Sequence, residues 1–128
     1  MVLPVNLRVG EGEGKVREGR PNAAFSKYAE LGLISLPYNW QGASWRVPFS
    51  LSQNGVNYPS FASILSGTQG PPDTLFPINY RINLDTIPTY SVLDVVKGRI
   101  GEKVRGKTVI LGATSENIGD NFLIPGRG

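Results

Sequence analysis

The stretch Arg105-Gly-Lys-Thr-Val-Ile-Leu-Gly-Ala-Thr114-Ser-Glu-Asn-Ile-Gly-Asp120 carries the strongest fold signal, because a short apolar run leads straight into a loop rich in glycine and hydroxyls and closed by one carboxylate. Val109, Ile110 and Leu111 are continuous and start β-branched, the pattern of a strand buried on both faces of a sheet. Lys107 enters from the turn-like Arg105-Gly106, and Gly112 lets the backbone leave without a Cβ clash. In open α/β sheets the ligand crevice lies beyond the carboxyl ends of the strands. Thr114, Ser115 and Asp120 are therefore candidate ligand groups, the alternative being that they satisfy backbone donors in an ordinary turn.

Upstream of this stretch, Ser91-Val-Leu-Asp94 has the form of a capping box. Ser91 is expected to accept from the Asp94 amide while the Asp94 side chain reaches back, opening a helix through Lys97 that Gly98 ends. Residues 76–82 read as a strand with Arg81 near its exit, and 83–90 as irregular. Strand, helix and strand at this spacing predict a βαβ-like unit in which 76–82 and 107–111 are parallel and adjacent. That topology sets the Arg81 guanidinium near the 112–120 loop. There it either pairs with Asp120 or clamps a carboxylate or phosphate while Thr114 and Ser115 supply hydrogen bonds.

Toward the other end, residues 2–9 are β-branched enough for a strand and Gly10-Glu-Gly-Glu-Gly14 is a charged loop. Asn22 is placed to cap a helix through Leu31, with Gly32 as the stop. Residues 33–37 predict a short strand and 39–42 a turn. Residues 44–52 then alternate Trp45, Val47, Phe49 and Leu51 against Arg46, Pro48 and Ser50, the period of a half-buried strand. The runs 33–37 and 44–52 are expected to form an antiparallel hairpin, with Pro48 marking an edge or a bulge. Asn54-Gly55 is a further turn signal. Pro59 suits the first position of a short helix carrying Phe61, Ile64 and Leu65. The fold class is α/β, with α+β as the alternative: a mixed β-sheet with flanking helices, a C-terminal βαβ-like parallel unit and an N-terminal antiparallel hairpin.

Composition bounds the function. The 128 residues fit one domain, and 40% apolar with 18% charged residues is globular rather than disordered. Sixteen glycines and ten prolines indicate many turns. With no Cys there is neither a disulfide framework nor a thiolate metal site, and with no His the Ser-His-Asp triad and histidine zinc sites fall away. No metal and no cofactor are expected. The net charge of +3, from 13 basic and 10 acidic residues, is too small to argue for nucleic acid. Lys97, Arg99, Lys103, Arg105 and Lys107 cluster, with only Glu102 among them, and read as a solvated surface because no aromatic interleaves. No apolar run reaches the roughly 18 residues of a membrane span, and Met1-Val-Leu-Pro4 has neither the basic start nor the apolar core of a signal peptide.

Taken together, Ile78-Asn-Tyr80-Arg81, Tyr90-Ser91-Val-Leu-Asp94-Val-Val-Lys-Gly98-Arg-Ile, Arg105-Gly-Lys-Thr-Val-Ile-Leu-Gly-Ala-Thr114, and Gly119-Asp120 with Pro125 behind it resemble the second half of a CHASE2 domain. Gly32-Leu-Ile, Trp40-Gln-Gly42 and Trp45-Arg46-Val-Pro48 are similar to that family's hairpin, and Pro59-Ser60-Phe61-Ala62 to its short helix. The family comprises extracytoplasmic sensory modules of bacterial transmembrane receptors. The resemblance implies a membrane-anchored parent protein whose output is a nucleotide cyclase, diguanylate cyclase, histidine kinase or protein kinase, and an unknown small-molecule ligand as partner. The family's transmembrane helix and acidic N-terminal αβ segment have no counterpart here, so the chain is expected to be a truncated piece of such a receptor.

Three functional classes follow. The first is the ligand-sensing module, with Arg81, Thr114, Ser115 and Asp120 as its site and no catalytic residue. The second is a ligand-free structural or dimerisation module. The third is a small α/β hydrolase-type enzyme using Asp120 or Asp85 as base and Ser115 or Thr114 as nucleophile, and it lacks both a Gly-x-Ser-x-Gly elbow and a Walker loop. Trp40, Trp45, Phe49, Tyr58 and Phe61 are many large aromatics for a hairpin and one short helix, and a homodimer is expected from them.

Overall fold

The computed structural model describes residues 1–9 and 16–113. They divide into two compact units, one built from Met1–Ile78 and the other beginning at Asn79.

The first unit is organised around β1 (Val2–Val9), the middle strand of a mixed sheet. On one side β2 (Val16–Gly19) runs antiparallel to it, with Asn6 opposite Gly19. On the other, β3 (Glu30–Leu33) runs parallel, with Val2 opposite Glu30 and Val5 opposite Leu33. A parallel neighbour needs a crossover, and α1 (Ala23–Ser26) lies on it. The Asn22 side chain accepts from the Ala24 amide at 2.8 Å, the N-cap that its short polar side chain predicts. The helix ends at Ser26, well short of Leu31, because the following residues are taken by the sheet. The Glu30 amide donates to the Met1 carbonyl and Ile34 donates to Val5. Ladder bonds and the burial of Leu33, which is 3% exposed, outweigh the helical period of this segment.

The expected hairpin between 33–37 and 44–52 does not form. Leu33 belongs to β3, and the second run breaks at Phe49 into β4 (Arg46–Pro48) and β5 (Ser50–Gln53), each with its own partner. Pro48 has no amide to continue a ladder, and the Phe49 amide turns to the Thr74 carbonyl instead. The hairpin is built one turn later. β5 pairs antiparallel with β6 (Val56–Pro59) across Asn54-Gly55, whose positive φ values of 52° and 76° match the two-residue turn that follows strand twist. β4 pairs antiparallel with β7 (Leu75–Pro77), setting Val47 opposite Phe76, and the Phe49 and Phe76 rings lie 4.7 Å apart between centroids.

α2 (Phe61–Ser66) packs against β1 and β3. Its cap is Ser60, not Pro59 at its first turn: the Ser60 hydroxyl accepts from the Ser63 amide at 3.1 Å and donates to the Ser63 hydroxyl at 2.9 Å. Gly67, at φ 65°, closes the helix in the left-handed region. The core that results is small and rich in hydroxyls. Val5, Leu33, Ala43 and Pro48 are buried together with Ser50, Ser60 and Ser63.

In the second unit, α3 (Val92–Val96) is capped by Ser91 and α4 (Gly101–Val104) follows. Gly98 ends α3 at φ 70° as its sequence position predicts. The reciprocal box does not form. The Ser91 hydroxyl accepts from Leu93 rather than Asp94, and the Asp94 carboxylate accepts instead from Arg99 at 3.1 Å.

The expected C-terminal parallel unit is corrected on both strands. Of residues 76–82 only Phe76 and Pro77 are in a ladder, as the end of β7, and its partner is antiparallel. The chain bends directly afterwards, where the Asn79 side-chain oxygen accepts from the Arg81 amide at 3.1 Å and ends any strand. Residues 107–111 join no ladder among the described residues, and Leu111 is 82% exposed. An apolar β-branched run is only a strand if a neighbour offers amides and carbonyls to it. Among the described residues the parallel strand pair is β1 with β3, at the opposite end of the chain.

Candidate functional site

Of the four residues that the sequence marks as a ligand site, Arg81 is described and Thr114, Ser115 and Asp120 lie outside the described residues. Arg81 is exposed, follows the Asn79 turn, and makes no ion pair among the described residues. The parallel strand pair that was expected to bring it beside the exit of Val109–Ile110–Leu111 does not form among the described residues. Asp85, the alternative base, sits exposed in a single 3-10 turn, Leu84–Thr86, capped by the Asn83 side chain at 3.0 Å. Among the described residues no group of three or more acidic side chains is placed to hold a metal ion.

The basic cluster is largely absorbed by local partners. Arg99 pairs with Asp94 at 3.1 Å and Arg105 with Glu102 at 2.8 Å, and the Lys103 ammonium stands 5.4 Å above the Tyr90 ring. All three cations are exposed, so these contacts tune a solvated surface and contribute little to stability.

A second candidate site has no motif to announce it. It is an open groove of about 440 Å³ in the first unit, lined by Leu3, Pro4, Asn6, Gly19, Arg20, Pro21 and Ile34. Three segments meet there because β1 lies between β2 and β3, and the chain turns away from β2 at Arg20-Pro21. Its walls are chiefly aliphatic and its polar groups few. The Arg20 Nε donates to a Glu18 carboxylate oxygen. That hydrogen bond first, with the neighbouring Tyr58 hydroxyl adding to it, raises the guanidinium above its ordinary value, so Arg20 is a permanent cation. Asn6 is held from behind: its side-chain oxygen accepts from the Ser35 hydroxyl at 2.7 Å, and that hydroxyl accepts from the Leu7 amide at 2.8 Å. Its amide nitrogen has no partner among the described residues. The sequence signal for this site is the opposite-charge pair Glu18 and Arg20, two residues apart where β2 ends.

No helix among the described residues is long and apolar enough to cross a membrane. Comparison of the chain with family models, with curated proteins and with solved structures found no match.

Proposed function

We propose that the chain is a non-catalytic, extracytoplasmic ligand-sensing module of a bacterial transmembrane signalling receptor. The observation that carries this reading is the ordered set of sequence blocks 78–81, 90–100 and 105–114, followed by Gly119-Asp120, which is similar to the CHASE2 pattern. Their punctuation has a structural use in this fold, since Gly98 and Gly106 both hold positive φ, at 70° and 68°, and Ser91 caps α3. In such a receptor a ligand acts by binding one arrangement of the module more tightly than another and so biasing the coupled output.

The location is tested with one cysteine placed in this chain, which has none of its own, with any cysteine elsewhere in the gene product replaced by serine. Gln69→Cys, at an exposed loop position, is introduced into the full-length gene product in spheroplasts. Labelling by a membrane-impermeant maleimide before lysis supports the reading, and labelling only after lysis rejects it.

A second reading, the ligand-free dimerisation module, is favoured by one feature. Trp40 is 91% exposed at the tip of the Asn39 turn, with Tyr38 and Trp45 also more than half exposed. A homodimer that becomes a monomer of 13.9 kDa on Trp40→Ser substitution, and that no ligand stabilises, would support this reading.

A further inference from the structure

We propose that the groove beside β1 binds a small amphiphilic carboxylate. Its tail lies along Leu3, Pro4, Pro21 and Ile34, and its head is held by the Arg20 guanidinium and the Asn6 amide. Each part follows from the residues present. The groove is open, with a volume of about 440 Å³, and its aliphatic walls cover one side of a tail laid along it. Each polar group keeps donors that the fold does not use. Glu18 engages Arg20 at Nε and the Tyr58 hydroxyl also hydrogen-bonds the guanidinium, and the remaining N–H groups are available to a carboxylate. Asn6 has its oxygen committed to Ser35, which turns its nitrogen into an oriented donor.

The charge balance selects the headgroup. Among the described residues Arg20 is the one cation lining the groove, and Glu18 already offsets part of its charge. A monoanion fits this balance, whereas a phosphate dianion needs a second cation. An alcohol or an ammonium head forfeits the charge-assisted hydrogen bonds. The site involves none of the Arg81 region and does not depend on the receptor reading.

The test is calorimetric titration of the full chain with octanoate, octanol, octylammonium and octyl phosphate, with methyl and amide NMR shifts to place the ligand. Octanoate is expected to bind about tenfold more tightly than octanol and to shift Leu3, Asn6 and Ile34. Arg20→Met is expected to weaken octanoate by about tenfold and leave octanol unchanged. Glu18→Gln is expected to tighten octanoate by about threefold or more, because it frees the guanidinium. Both substitutions sit at exposed positions, and thermal melting verifies that each variant folds. The proposal is overturned by any of four results: no octanoate binding up to about 10 mM, shifts confined to other residues, equal affinity for octanol, or an affinity indifferent to Arg20→Met. Tighter binding of octyl phosphate than of octanoate overturns the assignment to a carboxylate.

Discussion

Gly32 and Phe61 are packed backbone to backbone: a Cβ added at Gly32 would stand 2.7 Å from the Phe61 Cα and 3.0 Å from its ring. This contact brings the end of β3 against the first turn of α2, and the parallel bridge between Leu33 and Ser60 continues it. Gly32 is thus required by the approach of a neighbour, and not as the helix stop that its sequence position suggests.

Gly32→Ala is expected to destabilise the first unit by about 1–3 kcal/mol, because the obstruction is a Cα that cannot rotate away. Urea unfolding followed by far-ultraviolet circular dichroism measures it. A change within about 0.5 kcal/mol would mean that α2 shifts freely on the sheet.

The Asn54-Gly55 turn offers a test of backbone strain without packing, since nothing lies within 4 Å of the Gly55 Cβ position and its φ is 76°. Gly55→Ala is expected to cost about 1–2 kcal/mol. Gly101→Ala, also in open space but within α4 and without positive φ, is expected to stabilise its helix by about 0.5–1 kcal/mol. Thermal melts of the two variants should move in opposite directions.

Asp73 fastens the edge of β5, accepting from the Ser52 amide at 2.8 Å with its side chain and donating to the Ser50 carbonyl at 2.9 Å with its backbone. It does so at φ 58°. Asp73→Ala loses the acceptor and strains the backbone, for an expected cost of about 2–3 kcal/mol. Asp73→Asn keeps both the oxygen and the tolerance of this conformation, and is expected to fall within about 1 kcal/mol of the parent in chemical denaturation.

Arg81→Met is expected to leave stability within about 0.5 kcal/mol, given an exposed side chain without an ion pair among the described residues. Under the receptor reading it lowers the ligand response of the intact protein. A loss of about 3 kcal/mol or more in calorimetric melting would reveal a buried ion pair instead.

Local chemistry was legible in the sequence wherever one residue and its immediate neighbours suffice. Asn22, Asn39 and Ser91 cap or turn the chain as short polar side chains do, and Gly98 closes a helix in the left-handed region, whereas the Ser60 cap and the Gly67 stop of α2 emerged only in the structure. Strand identity was legible for Val2–Val9, whose β-branched residues leave little choice. The presence of a turn at Asn54-Gly55 was legible too, but not that it joins the main hairpin.

Partnership was not legible. Residues 107–111 and 44–52 have the apolar patterns of strands. Yet the first pairs with nothing among the described residues, and the second divides between β7 and β6. The candidate sites divide in the same way: the 112–120 stretch is conspicuous as sequence, while the Arg20 groove is assembled from positions 3 to 34 that share no motif. The physical reason is one of range. Caps, turns and helix stops are settled by hydrogen bonds two to four residues apart, which composition and spacing encode directly. Sheet order, the contact of Gly32 with Phe61, and the placing of Asn6 beside Arg20 depend on which distant segment wins each ladder and each buried surface, and only the tertiary structure decides that competition.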